Sequence, residues 1–121
     1  MKILTKAEDQ IMQILWKIKK GVVKDVIVKL PEPRPAYNTV STITRILVKK
    51  GFVSYKAYGK THEYFPIIEK DAYREFYLQN FLSKYFGGSF SNLVSFFAKE
   101  NEMNAGELEK MIKEVETKME K

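Results

Sequence analysis

The chain has 121 residues, 45% of them hydrophobic, and a net charge of +6. That is enough apolar residue for one domain with a real core, or for a small domain with an appendage. There is no cysteine, which excludes disulfides and thiolate metal or catalytic sites, and the single histidine, His62, argues against histidine-rich metal sites and a histidine-based triad.

Thr5-Lys6-Ala7-Glu8 has the pattern of a capping box, with Thr5 as N-cap and Glu8 reaching back. Behind it Ala7, Ile11, Ile14, Leu15 and Ile18 recur at helical spacing. The spacing predicts a helix over 5–18, stopped by Gly21. Val22 and Val23 suit a short strand, and Val26, Ile27 and Leu30 a second short helix over 23–30, which Pro31, Pro33 and Pro35 end.

A third helix is predicted over 37–50. Val40, Ile43 and Leu47 mark its buried face. The opposite face carries Asn38, Thr42, Arg45 and Lys49, with Ser41 at its edge and no carboxylate. A solvated helix face usually mixes both signs, whereas a face that meets phosphates needs hydrogen-bonding groups and positive charge without acid. Gly51 suits the helix C-terminus. Phe52–Tyr58 and Thr61–Phe65 then read as two strands rich in aromatic and β-branched residues around a Gly59-Lys60 turn, with Lys56 and Lys60 near the tip. A helix followed directly by a basic hairpin is the core of a winged helix-turn-helix, whose helix fits a DNA major groove.

Three more helices are predicted, over 70–86, 90–100 and 105–119, with a break at Gly87-Gly88 and Asn104 and Glu107 as a further capping box. Nine of the sixteen aromatic residues, among them Tyr73, Phe76, Tyr77, Phe81, Tyr85, Phe96 and Phe97, fall between residues 73 and 97. Leu108, Ile112, Val115 and Met119 are spaced 4, 3, 4, a short heptad seam. Fifty residues cannot bury that much aromatic surface alone. A second copy of the chain would cover it, and packing on the N-terminal domain is the alternative. The predicted fold is therefore mostly α with a small β-wing, a winged helix-turn-helix domain at 1–68 and a three-helix dimerisation domain at 69–121.

The charge follows this division. Residues 1–68 hold thirteen Lys/Arg against five Asp/Glu, a balance of +8, and residues 69–121 hold eight against ten, a balance of −2. This suggests a polyanion-binding module joined to something else, the plain alternative being a basic solvated surface. No apolar run approaches the ~18 residues of a membrane span, and MKILTKAEDQ lacks a signal-peptide apolar region. The expectation is a cytoplasmic protein without membrane insertion. Walker, GxSxG and HExxH motifs are absent, so neither enzyme activity nor a cofactor is expected.

LTKAEDQIMQILW at 4–16, AYNTVSTITRILVKKGFV at 36–53, GKTHEYFP at 59–66 and GGSFSNLVSFFAKE at 87–100 stand in an order and spacing that resembles the penicillinase- and methicillin-resistance-repressor family, which includes copper-responsive repressors. The resemblance implies a homodimeric repressor on palindromic operators, often with TACA/TGTA half-sites, relieved when a membrane-embedded zinc metalloprotease sensor triggers cleavage in the C-terminal domain. It places Asn38, Thr39, Ser41 and Thr42 where the family's recognition helix meets DNA, with Thr42 at base edges. The family's Arg-Leu pair before the helix-ending glycine is replaced by Ile46-Leu47, with Arg45 one position earlier. Phe96-Phe97 stands where the family has its scissile Asn-Phe bond, while the only Asn-Phe pair here is Asn80-Phe81. The cysteine cluster of copper-responsive members is missing, so Cu(I) would find no thiolates.

Asn38, Ser41, Thr42 and Arg45 are thus expected to read sequence, and Lys49, Lys50, Lys56 and Lys60 to hold phosphates of double-stranded operator DNA. The dimer interface is expected from Tyr73, Phe76, Tyr77, Phe81, Tyr85, Leu108, Ile112, Val115 and Met119, and cleavage at Phe96-Phe97. Trp16 is expected in the core, and His62, in a wing strand, as an ordinary surface histidine, with a phosphate contact as the alternative. The competing class is a winged helix that binds only protein, which should show apolar anchors on the third helix.

Overall fold

Helix α1 (Lys6–Ile18) starts at the capping box. In the computed structural model the Glu8 N–H donates to Thr5 Oγ1 at 3.2 Å, and the Thr5 N–H donates to Glu8 Oε1 at 2.8 Å. The structure describes residues 1–119, without the side chains of 111, 112 and 115–119. After α1 come α2 (Val23–Ile27), α3 (Tyr37–Lys49), β1 (Val53–Tyr58), β2 (Thr61–Pro66), α4 (Lys70–Tyr85), α5 (Phe90–Glu100) and α6 (Ala105–Met119). The fold is mostly helical, with one two-stranded antiparallel sheet as the wing.

The α1–α2 corner departs from the sequence reading. The helix stops two residues before Gly21, at Lys19, whose φ of +73° breaks the helix while its N–H still donates to the Leu15 carbonyl. Gly21 instead joins the wing: it exchanges N–H···O bonds of 2.9 and 2.8 Å with Tyr64. The strand expected at Val22–Val23 shrinks to this bridge, because the Val22 N–H donates to Asp25 Oδ2 and so opens α2. That helix ends at Ile27 rather than residue 30, where Arg34 collects the freed Val28 and Leu30 carbonyls.

The end of α3 follows from Gly51. At φ +82° it lets the Phe52 N–H donate to the Leu47 carbonyl and its own N–H to the Val48 carbonyl. This is a Schellman motif, and the buried Leu47 and Phe52 supply its apolar contact. Thr44 faces the core, where its hydroxyl donates to the Val40 carbonyl at 2.7 Å and so costs no unpaired polar group. Val53 pairs with Pro66 and Tyr58 with Thr61 across a turn in which Gly59 adopts φ +64°.

The core of this part gathers Ile11, Met12 and Leu15 of α1, Val26 of α2, Val40 and Leu47 of α3, and Phe52, Val53 and Tyr64 around the wing. Tyr73 of α4 belongs to it as well. Its ring lies 5.9 Å from Trp16 and 5.7 Å from Phe52, and its hydroxyl accepts the Leu4 N–H at 3.0 Å. Trp16 is half-buried and donates its indole N–H to the Ile68 carbonyl, so it is a packing residue as the sequence implied. Phe76 also packs on this core. The expected assignment of Tyr73 to a dimer interface is therefore corrected, since its surface is covered within the chain, and Phe76 is half covered by the same core. The chain divides into two compact units, Met1–Phe76 and Tyr77–Lys121, so the start of α4 packs with the N-terminal one.

Glu8 does more than cap. It is buried, and Lys50 at the end of α3 donates to both of its carboxylate oxygens at 2.9 and 2.7 Å. Burial alone would raise its carboxyl. The hydrogen bonds from Lys50 and Thr5, with the Lys50 charge, outweigh burial and hold it below the ordinary 4.5. A carboxylate depressed on folding stabilises fully above pH 4.5 and loses that contribution as pH falls through its lower folded value. Lys50→Met should therefore cost about 2–3 kcal/mol at neutral pH, less than a fully buried pair because Lys50 is partly exposed. Urea unfolding should show the deficit shrinking in acid. A deficit that grew on acidification would contradict the assignment.

In the second unit, Ser89 caps α5 by accepting the Asn92 N–H. Asn104 caps α6 by accepting the Glu107 N–H at 2.9 Å, but the Glu107 carboxylate meets the Asn104 side-chain amide rather than its backbone, so the box is half formed. Phe81 packs beside Tyr85 and Phe86, and Phe86 beside Phe96. Tyr77, Tyr85, Phe90, Phe96 and Phe97 are exposed, and Leu108 is half-buried. The seam residues Ile112, Val115 and Met119 lie outside the described side chains. No helix among the described residues is long and apolar enough to cross a membrane.

Candidate nucleic-acid interface

Burying Val40, Thr44 and Leu47 turns the other side of α3 to solvent. Asn38, Thr39, Thr42, Arg45 and Lys49 are all exposed there, and Ser41 is half-buried at the edge. The first turn of α3 holds no acid, and its N-cap, Ala36, offers no side-chain acceptor. The leading N–H groups thus point outward without a capping side chain, which favours an anion. Ile46, 39% exposed, is the apolar residue on the outer side of the helix body, and Tyr37 stands exposed at its first position. A single isoleucine and an end-on tyrosine do not make the apolar anchor cluster that a protein-binding face needs.

The wing stands beside this face. Lys56 and Lys60 are exposed, with the Lys56 ammonium 5.4 Å from the Tyr58 ring centre. His62 lies flat on Tyr55, ring centres 4.2 Å apart and planes 8° apart, an ordinary wing packing position. Ion pairs join Lys50 to Glu8 and Arg74 to Asp71, and among the described residues Arg45, Lys49, Lys56 and Lys60 carry charge without a carboxylate partner. Lys50 parts from the group. Its ammonium is committed to Glu8 and holds α1 to the end of α3, so it is corrected from phosphate holder to fold residue.

Arg45 is exposed, as the sequence reading had it with Asn38 and Thr42, but its side chain runs back along the helix. It leans back one turn, its Nε donating to the Ser41 carbonyl at a long 3.5 Å, and lines an open cleft of about 260 Å³ between α3 and the wing. Val22, Val23, Tyr37, Ser41, Lys60, Thr61, His62 and Tyr64 complete the lining. Tyr64 has no sequence signal as a site residue, since its place in a strand of alternating aromatics reads simply as core. Its ring is core, yet its hydroxyl opens on the cleft. Burial pushes that hydroxyl above its usual 10.0; Arg45 works against the rise, and Tyr37 and Tyr55 add to it, so at neutral pH it keeps its proton and can donate. No group of three or more His, Cys, Asp or Glu suited to a metal occurs among the described residues.

The penicillinase repressor family model matches residues 4–117. The chain is similar to the methicillin resistance regulatory protein MecI of Mammaliicoccus sciuri, 27% identical over 109 residues that cover 89% of each chain. It is similar to the penicillinase repressor of Staphylococcus aureus, 29% identical over 111 residues covering 89% of this chain and 86% of that one. The penicillinase repressor of Bacillus licheniformis is 24% identical over 109 residues, covering 89% and 85%. Among solved structures, one described as a CopR repressor matches 56% of this chain and 100% of its own at 28% identity and a TM-score of 0.47.

Proposed function

The chain belongs to the penicillinase repressor family, whose members are transcriptional repressors rather than enzymes, and on that footing we propose that it represses as a homodimer bound to palindromic operator DNA. The observation that carries the reading is the exposed, acid-free face of α3 beside a basic wing. Asn38, Thr39 and Thr42 face outward where side chains entering a major groove would meet base edges, and Lys49, Lys56 and Lys60 flank them with unpaired charge. The second unit supplies the dimer. Its exposed Tyr77, Tyr85, Phe90, Phe96 and Phe97 form an aromatic surface that a second copy would cover. A bound dimer would occlude the promoter, and each half-site alone would supply only part of the affinity.

Asn38→Ala and Thr42→Ala should each cost about 1–3 kcal/mol of discrimination between a duplex with paired TACA and TGTA half-sites and its scrambled counterpart. Fluorescence anisotropy reads both duplexes. Variants that kept full discrimination would remove α3 from the reading role.

A further inference from the structure

The cleft between α3 and the wing carries two cations and no acid. Tyr64 is only 5% exposed, yet its hydroxyl has no hydrogen-bond partner among the described residues and is not sealed from solvent. A tyrosine buried to that degree usually finds a partner for its O–H. Around it stand Ser41 with a hydroxyl, Arg45 and Lys60 with unpaired positive charge, and Tyr37 at the uncapped start of α3. No Asp or Glu lines the cleft. Hydroxyl donors, two cations and a helix N-terminus converging on an open slot match the oxygens of a phosphate.

We propose that this cleft seats one phosphodiester of the DNA backbone, and that Arg45, placed by the sequence among the base readers, is its charged ligand together with Lys60 and the Tyr64 hydroxyl. The assignment rests on the DNA-binding reading above and sharpens it. Arg45 cannot both turn back into the cleft and reach a base edge from the outer face of α3. Base reading then falls to Asn38, Thr39 and Thr42, and the phosphate in the cleft fixes how deep α3 sits. A neutral tyrosine hydroxyl adds direction to that grip without adding charge. The partner is the sugar–phosphate strand rather than a particular sequence, so the seat should work on any duplex.

Anisotropy titrations over a salt series, on the half-site duplex and on its scrambled counterpart, test this in the full chain. Arg45→Gln should weaken both duplexes by the same factor and, since each protomer of the dimer loses one contact, make the slope of log K against log salt shallower by about 2. Tyr64→Phe keeps the buried ring and should weaken both duplexes severalfold with the slope unchanged, because the lost group is neutral. Thermal unfolding confirms that the Phe variant is folded. If Arg45→Gln weakens only the half-site duplex and leaves the slope alone, Arg45 reads bases and the seat is overturned. A folded Tyr64→Phe protein with unchanged affinity overturns it as well. A wild-type protein that binds neither duplex would defeat the DNA-binding reading itself, and the seat with it.

Discussion

Raising the salt concentration from about 50 to about 200 mM should weaken binding to the half-site duplex by about ten-thousand-fold. The figure comes from counting charge. Arg45, Lys49, Lys56 and Lys60 lie on the proposed face with no carboxylate partner among the described residues. Two protomers then neutralise about eight phosphates, and each releases close to one counterion, for a slope of about −7. Lys50 is left out because Glu8 already holds it. Anisotropy at four or five salt concentrations measures the slope directly. A flat response would mean that the +8 balance of residues 1–68 is a solvated surface and nothing more.

Shortening the chain should separate two effects that residue counts alone would merge. A chain ending at Phe76 keeps Tyr73, the Leu4 hydrogen bond and the Phe76 packing, so it should fold. It lacks the second unit and should sediment as a monomer. Its affinity for a palindromic duplex should drop by about 10²–10⁴-fold, because the second half-site is no longer engaged by a tethered partner. A chain ending at Ile68 loses Tyr73 from between Trp16 and Phe52. Removing a core aromatic costs about 3–5 kcal/mol, a large part of the total stability of a small domain, so this chain should be largely unfolded by circular dichroism. A dimeric chain ending at Phe76 would move the interface into the winged unit. Cleavage between Phe96 and Phe97 in a cell would act by the same route. Both rings are exposed, at 54% and 45%, but they lie inside α5, so a protease must first unwind that helix. The intact mass of the protein from induced cells reads whether it does.

What the sequence disclosed and what it withheld divide along the range of the interaction. Thr5 with Glu8, Gly51 after α3 and Gly59 in the hairpin act over three or four residues, and each was readable from its neighbours. The acid-free face of α3 was readable for the same reason, since helical periodicity alone sorts its residues. Glu8 with Lys50 spans 42 positions and Leu4 with Tyr73 spans 69. No local pattern announces either. Both changed an assignment: Lys50 left the phosphate set and Tyr73 left the dimer set. Arg45 is a subtler case. The wheel placed it correctly on the exposed side, but a long side chain in a helix leans toward the N-terminus, and only the neighbouring wing reveals what lies there.

The Gly21–Tyr64 bridge gives the wing a root on the α1–α2 corner. Both backbone bonds of the bridge close on the same residue whose hydroxyl faces the cleft. Gly21 has no room to be anything larger without displacement, since an added Cβ would lie 2.8 Å from Ile18 Cδ1 and 3.1 Å from Asp25 Cβ. The hairpin is thus anchored at Tyr64 and cantilevered from there to Gly59 and Lys60. On the proposed seat, Tyr64 would meet DNA already in position and at little cost in ordering, whereas Lys60 stands at the far end of the hairpin from that anchor. One short ribbon would then hold the strand at two points, one fastened to the α1–α2 corner and one set apart from it at the turn.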